Sequence, residues 1–244
     1  MFLHLKEKNI KNLAQGLRLI KMNISRAKIE FRELDDYILK QWSKIPTCII
    51  GDCMNRQGIM SSRISSVREG MTFCGQARTV SITHGDNSAI HAALTLMNKG
   101  EVLVVDGGGF LDRAVWGELM NRSSITIGIE GVVIDGSVRD IAELRKLSLP
   151  VFSAGVNSTG PTKGGGGKID VLISCGNVAT KPGDIIIGDD DGVAVIPLEN
   201  SEKHYEESIE KIKMEEETIK EINSGKNHKD IFGIKEIPYI IKKV

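Results

Sequence analysis

The sequence predicts an α/β or α+β domain rather than a regularly alternating, doubly wound sheet. Three observations carry this. Between Thr72 and Pro197, strand-like apolar runs outnumber helical stretches, and many are separated only by turns. Val102-Leu-Val-Val-Val105 is a continuous apolar run of the kind a fully buried strand shows, and Asp106-Gly-Gly-Gly109 is expected to end it. Gly131-Val-Val-Ile-Asp135 repeats the strand-then-Asp-Gly arrangement, with Ser137-Val-Arg-Asp140 opening the next helix. Two acids and an arginine thus fall where strands hand over to helices, the usual place for ligands in α/β sheets.

The remaining elements follow in chain order. Residues 1–28 are rich in Lys and Arg, with Glu7 as their only acid. A basic amphipathic leader can be an organelle-targeting peptide, but no small-residue cleavage signal follows it. The plainer readings are a helical arm packing on a neighbouring subunit, or an upstream extension before a natural start near Met22. Phe31, Leu34, Ile38 and Trp42 are spaced as one stripe of an amphipathic helix, which Pro46 stops. Thr47 to Asp52 begins the next element. Thr72 to Thr83 alternates loosely as a strand does. Asp86 is a natural N-cap for a helix from Asn87 to Asn98, closed by Gly100. His84 and His91 flank that cap without a carboxylate or cysteine at ligand spacing, so they read as polar wall or surface residues.

Beyond the central stretch, Leu149 to Phe152 is a short strand. Asn157 to Gly167 is glycine-rich and holds Lys163, but it lacks the GxxxxGK[ST] order of a phosphate loop and reads as a flexible surface loop. Val171 to Ser174, Ile185 to Gly188 and Val193 to Ile196 are strands. Asp189-Asp-Asp-Gly192 is a tight turn rather than a calcium loop, because the EF-hand spacing is absent. Leu198 to Ser224 is a charged helix with Glu207–Lys211 and Glu216–Lys220 pairs at favourable spacing, ended by Gly225. The expected organisation is a basic extension over residues 1–30, a core over 31–200, and a charged helix and tail over 201–244.

Composition narrows the function. The 32 basic and 32 acidic residues cancel, so no global field draws the chain to nucleic acid or an anionic membrane. Aromatic residues make up only 5%, too few for base-stacking platforms. No apolar run approaches the length of a bilayer span. The four cysteines, without CxxC spacing, read as reduced thiols of a cytoplasmic protein.

Two readings of Arg139-Asp140 stand side by side. In one, Ser137 and Asp140 form a capping box and nothing more. In the other, free amides at a helix start favour an anion, Arg139 clamps a carboxylate in bidentate fashion, and Asp140 holds a hydrated divalent cation.

Gly117-Glu-Leu-Met120 followed by Arg139-Asp140 and Glu143 resembles the signature of the RraA-like family. So do Pro46 to Asp52, Gly85-Asp-Asn87, Asp106-Gly-Gly-Gly109, Asp135-Gly136 and Pro182 to Val193. That family holds 4-hydroxy-4-methyl-2-oxoglutarate (4-carboxy-4-hydroxy-2-oxoadipate) aldolases and a regulator of ribonuclease activity. The resemblance, spanning roughly Glu33 to Pro197, implies a three-layer ββα sandwich of the swivelling phosphohistidine-domain type, with added terminal helices. It implies homotrimers, or hexamers built from them, with the site near a subunit boundary. It further implies Mg²⁺- or Mn²⁺-dependent cleavage of a 4-hydroxy-2-oxo acid to pyruvate, with oxaloacetate decarboxylation as a side activity. In that scheme Asp140 anchors the metal and Arg139 holds the pyruvyl oxygens. The backbone at Gly117, Glu118, Leu119 and Met120 binds the carboxylate, and Glu118 assists a water acting as base. One departure stands out: the aldolase pattern has aspartate at the position of Glu118. The rival implied by the same resemblance is a non-catalytic regulator that binds a ribonuclease.

Overall fold

The computed structural model describes residues 23–238. The readings made for residues 1–22 and for the last six residues lie outside them. The architecture is the mixed α/β one expected. A nine-stranded sheet has the order β1 (Ile24–Arg26), β7 (Gly167–Ile169), β3 (Phe73–Ile82), β4 (Glu101–Trp116), β5 (Gly131–Val138), β6 (Val151–Val156) and β2 (Ser65–Ser66). The antiparallel hairpin of β10 (Ile185–Asp189) and β11 (Gly192–Ile196) joins β3 beside its first residues, leaving β7 to pair with its last. A separate hairpin, β8 (Ile173–Cys175) with β9 (Val178–Thr180), packs across β3 and β4.

The central strands β3, β4 and β5 run parallel, which exposes neither face to water and explains their near-continuous apolar sequence. All eight residues of β5 are buried. The loose alternation expected of Thr72 to Thr83 is absent for the same reason: nine of the ten residues of β3 are buried. Its two charged or amide side chains are satisfied inside. Arg78 pairs with Glu101 and Asp170, and Gln76 donates to the carbonyls of Arg32 and Gly183. Arg26 of β1 reaches the same Asp170, so the sheet already begins at Ile24, inside the stretch read as an extension.

The helices are α1 (Asp36–Trp42), α2 (Thr47–Cys53), α3 (Ser88–Leu94), α4 (Glu118–Ile127), α5 (Ile141–Leu144), α6 (Ser201–Asn223) and α7 (His228–Ile231). Two expected bounds shift. Helix α1 starts at Asp36 because Asp35 caps it by accepting from the Ile38 amide, leaving Phe31 packed against Gly183 instead of on the helical stripe. Helix α3 ends at Leu94, before Asn98. Helix α6 is more than a solvated rod. Its first half lays Tyr205, Ile209 and Ile212 on Trp42 and the β10–β11 hairpin, forming a second small core, while Ile219 and Ile222 further along stay exposed.

Strand β4 departs most from expectation. Asp106-Gly-Gly-Gly109 does not end it. The chain continues to Trp116 with register slips against β5 after Asp106, Phe110 and Ala114. Gly108 and Gly109 take φ of 65° and 70°, which lets the strand kink and go on instead of turning back. That kinked end delivers Gly117 to the start of α4.

Candidate active site

Two strand ends meet here. β4 runs into α4 at Gly117, and β5 runs into Arg139 and Asp140. The Arg139 amide donates to the Trp116 carbonyl at 3.0 Å, which fixes the two ends together. Asp140 adopts the left-handed region at φ 60°, one of the few such conformations an aspartate tolerates, and this aims its carboxylate back at α4. Its Oδ2 accepts from the Glu118 amide at 3.1 Å and lies 3.7 Å from Arg139 Nε. Gly117 is required by the close approach: a Cβ there would sit 2.6 Å from Asp140 Oδ2 and 3.1 Å from Arg139 Cγ.

This geometry settles the two readings of Arg139-Asp140 against the capping box. Ser137 is still within β5, and its hydroxyl donates to the Leu111 carbonyl. Asp140 precedes only a single turn, α5; its backbone carbonyl accepts from the Glu143 and Leu144 amides, but its side chain accepts nothing from that turn. It instead caps a different helix across the site. The anion-favouring amides are therefore those of α4, where Leu119 and Met120 have no carbonyl behind them within the helix.

The sequence-predicted residues are thus brought together, with two qualifications on side chains. Leu119 points outward, 80% exposed, and offers only its backbone, while Met120 is buried. The Glu118 carboxylate accepts from Arg122 Nε at 2.7 Å, one turn along α4. Other acids at strand ends are spent on structure. Asp135 is gripped in a fork by Arg63, 2.6 and 3.1 Å, and accepts from the Gly176 amide. Asp106 accepts from the Gly108 amide.

Sequence reasoning missed the opposite wall. The glycine-rich segment is no loose loop. The Thr162 amide donates to the Gly85 carbonyl, the Asn87 amide to the Thr162 carbonyl, and the Gly165 amide to Asp86. It passes close over Arg139, whose Nη1 would be 2.9 Å from a Cβ on Gly160. Lys163 Nζ donates to Asn87 Oδ1 at 2.6 Å and meets His91 Nε2 at 3.0 Å. Asn87 in turn donates to the Val115 carbonyl and to the Met120 sulfur, tying Lys163 to the start of α4. Burial and the Lys163 charge push His91 down to about 4, so it is a neutral acceptor. Burial, with the nearby Arg139 charge, also lowers Lys163 from the ordinary lysine value. Burial opposes ionisation of Asp86, but the hydrogen bonds from Ser88 and Gly165 outweigh it and hold its carboxyl below the usual range. The Gly85-Asp-Asn87 turn was the available signal.

The residues fit a divalent cation of the weakly liganded kind. Asp140 is 41% exposed, and its Oδ1 accepts no hydrogen bond among the described residues. No cluster of three or more His, Cys, Asp or Glu gathers there among those residues. A single carboxylate suits Mg²⁺ or Mn²⁺, with waters and substrate oxygens completing the shell.

Residues 47–195 match the RraA-like family, described as Aldolase/RraA, and the chain belongs to that family. It is 37% identical over 188 residues to a Halalkalibacterium halodurans protein provisionally named 4-hydroxy-4-methyl-2-oxoglutarate aldolase, covering 77% of this chain and 86% of that one. Among solved structures it is similar to the RNA-processing inhibitor RraA from Thermus thermophilis, at 30% identity and TM-score 0.58, over 62% of this chain and 92% of the other. An uncharacterised protein of Pseudomonas syringae pv. tomato shares the fold at 23% identity and TM-score 0.71, over 83% and 100%. No helix among the described residues is long and apolar enough to cross a membrane.

Proposed function

We propose that this protein is an aldolase that cleaves a 4-hydroxy-2-oxo acid, such as 4-hydroxy-4-methyl-2-oxoglutarate, to pyruvate and a second oxo acid. The observation that carries it is the convergence of Arg139, Asp140 and the free amides of α4 on one spot, joined by the hydrogen bond from Glu118 N to Asp140. The relative named for that activity supports it. Asp140 would hold Mg²⁺ or Mn²⁺, which when bound supplies Lewis-acid stabilisation to the pyruvyl oxygens. The Arg139 fork binds the same end of the substrate, and the Leu119 and Met120 amides bind its carboxylate. Glu118, acting through a water, takes the proton of the 4-hydroxyl. The bond between carbons 3 and 4 then breaks, its electron pair passing into the pyruvate enolate as the alcohol carbon becomes a carbonyl. The same enolate forms when oxaloacetate loses CO₂, so that reaction accompanies the main one.

The spot is open on a single chain. Arg139 is 43% exposed, and Leu111 and Val156 add exposed apolar surface beside it. A homotrimer, or a hexamer built from two trimers, would close it against water.

The test is pyruvate release, coupled to lactate dehydrogenase, across 4-hydroxy-2-oxo acids and oxaloacetate with and without Mg²⁺ or Mn²⁺. Metal-dependent turnover is expected. Absence of turnover on all of them, together with tight binding to a ribonuclease, would establish the regulator reading that the likeness to the Thermus inhibitor favours.

Asp140 has a structural and a chemical role that one variant separates. Asn caps a helix about as well as Asp, so Asp140→Asn should keep the Glu118 contact and leave Tm nearly unchanged while raising the metal concentration needed for activity. Asp140→Ala loses both and should cost about 1 kcal/mol of stability besides. An unaltered metal requirement in Asp140→Asn would show that Asp140 is only a cap.

A further inference from the structure

We propose that Lys163 is the general acid that returns a proton to the enolate carbon, with Asn87 and His91 as the positioning residues that hold it. The proposal rests on the aldolase reading and adds the second half of its proton inventory. Once the 4-hydroxyl proton has gone to the base and the C–C bond has broken, the enolate carries its charge over oxygen and the terminal methylene carbon. Release of pyruvate needs one N–H bond broken and one C–H bond formed at that carbon, leaving a neutral amine that regains its proton from water.

The arrangement offers few donors for this step. Arg139 is too basic to give up a proton. Asp140 accepts from the Glu118 amide and would hold the metal, and Glu118 is already assigned to the 4-hydroxyl proton. Lys163 remains. An ammonium has three hydrogens, and two of them are directed to Asn87 Oδ1 and His91 Nε2 at 2.6 and 3.0 Å. The third is free. Asn87 is itself anchored by the Val115 carbonyl and the Met120 sulfur, which sets Lys163 against the start of α4. The charged groups facing Lys163 are Asp86 and Arg139, and the neutral His91 ring is its acceptor. Burial and Arg139 favour loss of its proton more than Asp86 opposes it, which makes Lys163 a better acid than a free lysine.

The experiment follows exchange of the pyruvate methyl hydrogens in ²H₂O by NMR, on the full chain with Mg²⁺ or Mn²⁺, beside binding of oxalate as an enolate mimic. Lys163→Arg keeps the positive charge but cannot supply a proton at working pH. It is expected to bind oxalate within a few-fold of wild type, yet to lose methyl exchange by roughly two to four orders of magnitude. In the wild type, exchange should fall on the alkaline side, at a pH below the ordinary lysine range. Wild-type exchange in Lys163→Arg would overturn the proposal and leave Lys163 as a binding charge. Lys163→Met serves as the second variant: a loss confined to KM, with kcat and exchange intact, would overturn it equally. Absence of both cleavage and exchange in the wild-type chain would instead overturn the aldolase reading, and this proposal with it.

Discussion

Glu118→Gln is expected to lower turnover on the best oxo-acid substrate by roughly two to four orders of magnitude, the usual contribution of a positioned acid or base. The substitution is well controlled. A glutamine oxygen can still accept from Arg122 Nε, as Glu118 does at 2.7 Å, and the Glu118 amide still donates to Asp140. Only the ability to take a proton is removed, so binding of pyruvate should change little. The methylene that distinguishes Glu118 from the family aspartate moves the carboxylate oxygens by about an ångström, and direct proton transfer tolerates such displacement poorly. Transfer through a water tolerates it better. Glu118→Asp should therefore keep or improve turnover. Full activity in Glu118→Gln, measured by the coupled pyruvate assay, would place the base elsewhere and leave Glu118 as a first-turn acid favoured by the dipole of α4.

The half of the candidate site built from α4 and Asp140 was legible because its residues sit at strand ends in short motifs. Apolar runs located β4 and β5, and Gly117 to Met120 and Arg139-Asp140 mark where each strand stops. The capping-box reading failed for a physical reason. Ser137-Val-Arg-Asp140 has the local chemistry of a helix start, but Ser137 is paired to Ala114 and Gly155 in the sheet, and pairing outweighs the local preference. Glycines misled twice. Asp106-Gly-Gly-Gly109 has the composition of a turn, yet the same tolerance of positive φ serves a kinked strand. Residues 157–167 have the composition of a free loop, yet backbone hydrogen bonds to Gly85 and Asn87 stitch them down. The contact of Lys163 with Asn87 spans 76 residues, and no periodicity or spacing rule reaches across that distance. The same holds for His91, whose ligand-poor neighbourhood in the sequence concealed a partner 72 residues away.

Arg139→Lys should reduce kcat/KM about tenfold to a hundredfold, the worth of one charge-assisted hydrogen bond at roughly 1.5–3 kcal/mol. Lysine keeps the charge but replaces a planar fork with a single point of contact. The surroundings make the difference matter. A Cβ on Gly117 would crowd Arg139 Cγ and one on Gly160 would crowd Nη1, so two glycines leave the slot in which the guanidinium lies. A lysine in that slot loses both the plane and the second hydrogen-bond direction. The backbone bond from residue 139 to Trp116 is indifferent to the side chain, so the two strand ends should stay joined and Tm should hold. Pyruvate inhibition constants separate binding from chemistry: weaker inhibition with an unchanged metal requirement is the expected pattern. A variant that binds pyruvate as well as wild type but demands more metal would mean that Arg139 acts chiefly on Asp140, 3.7 Å away, rather than on the substrate.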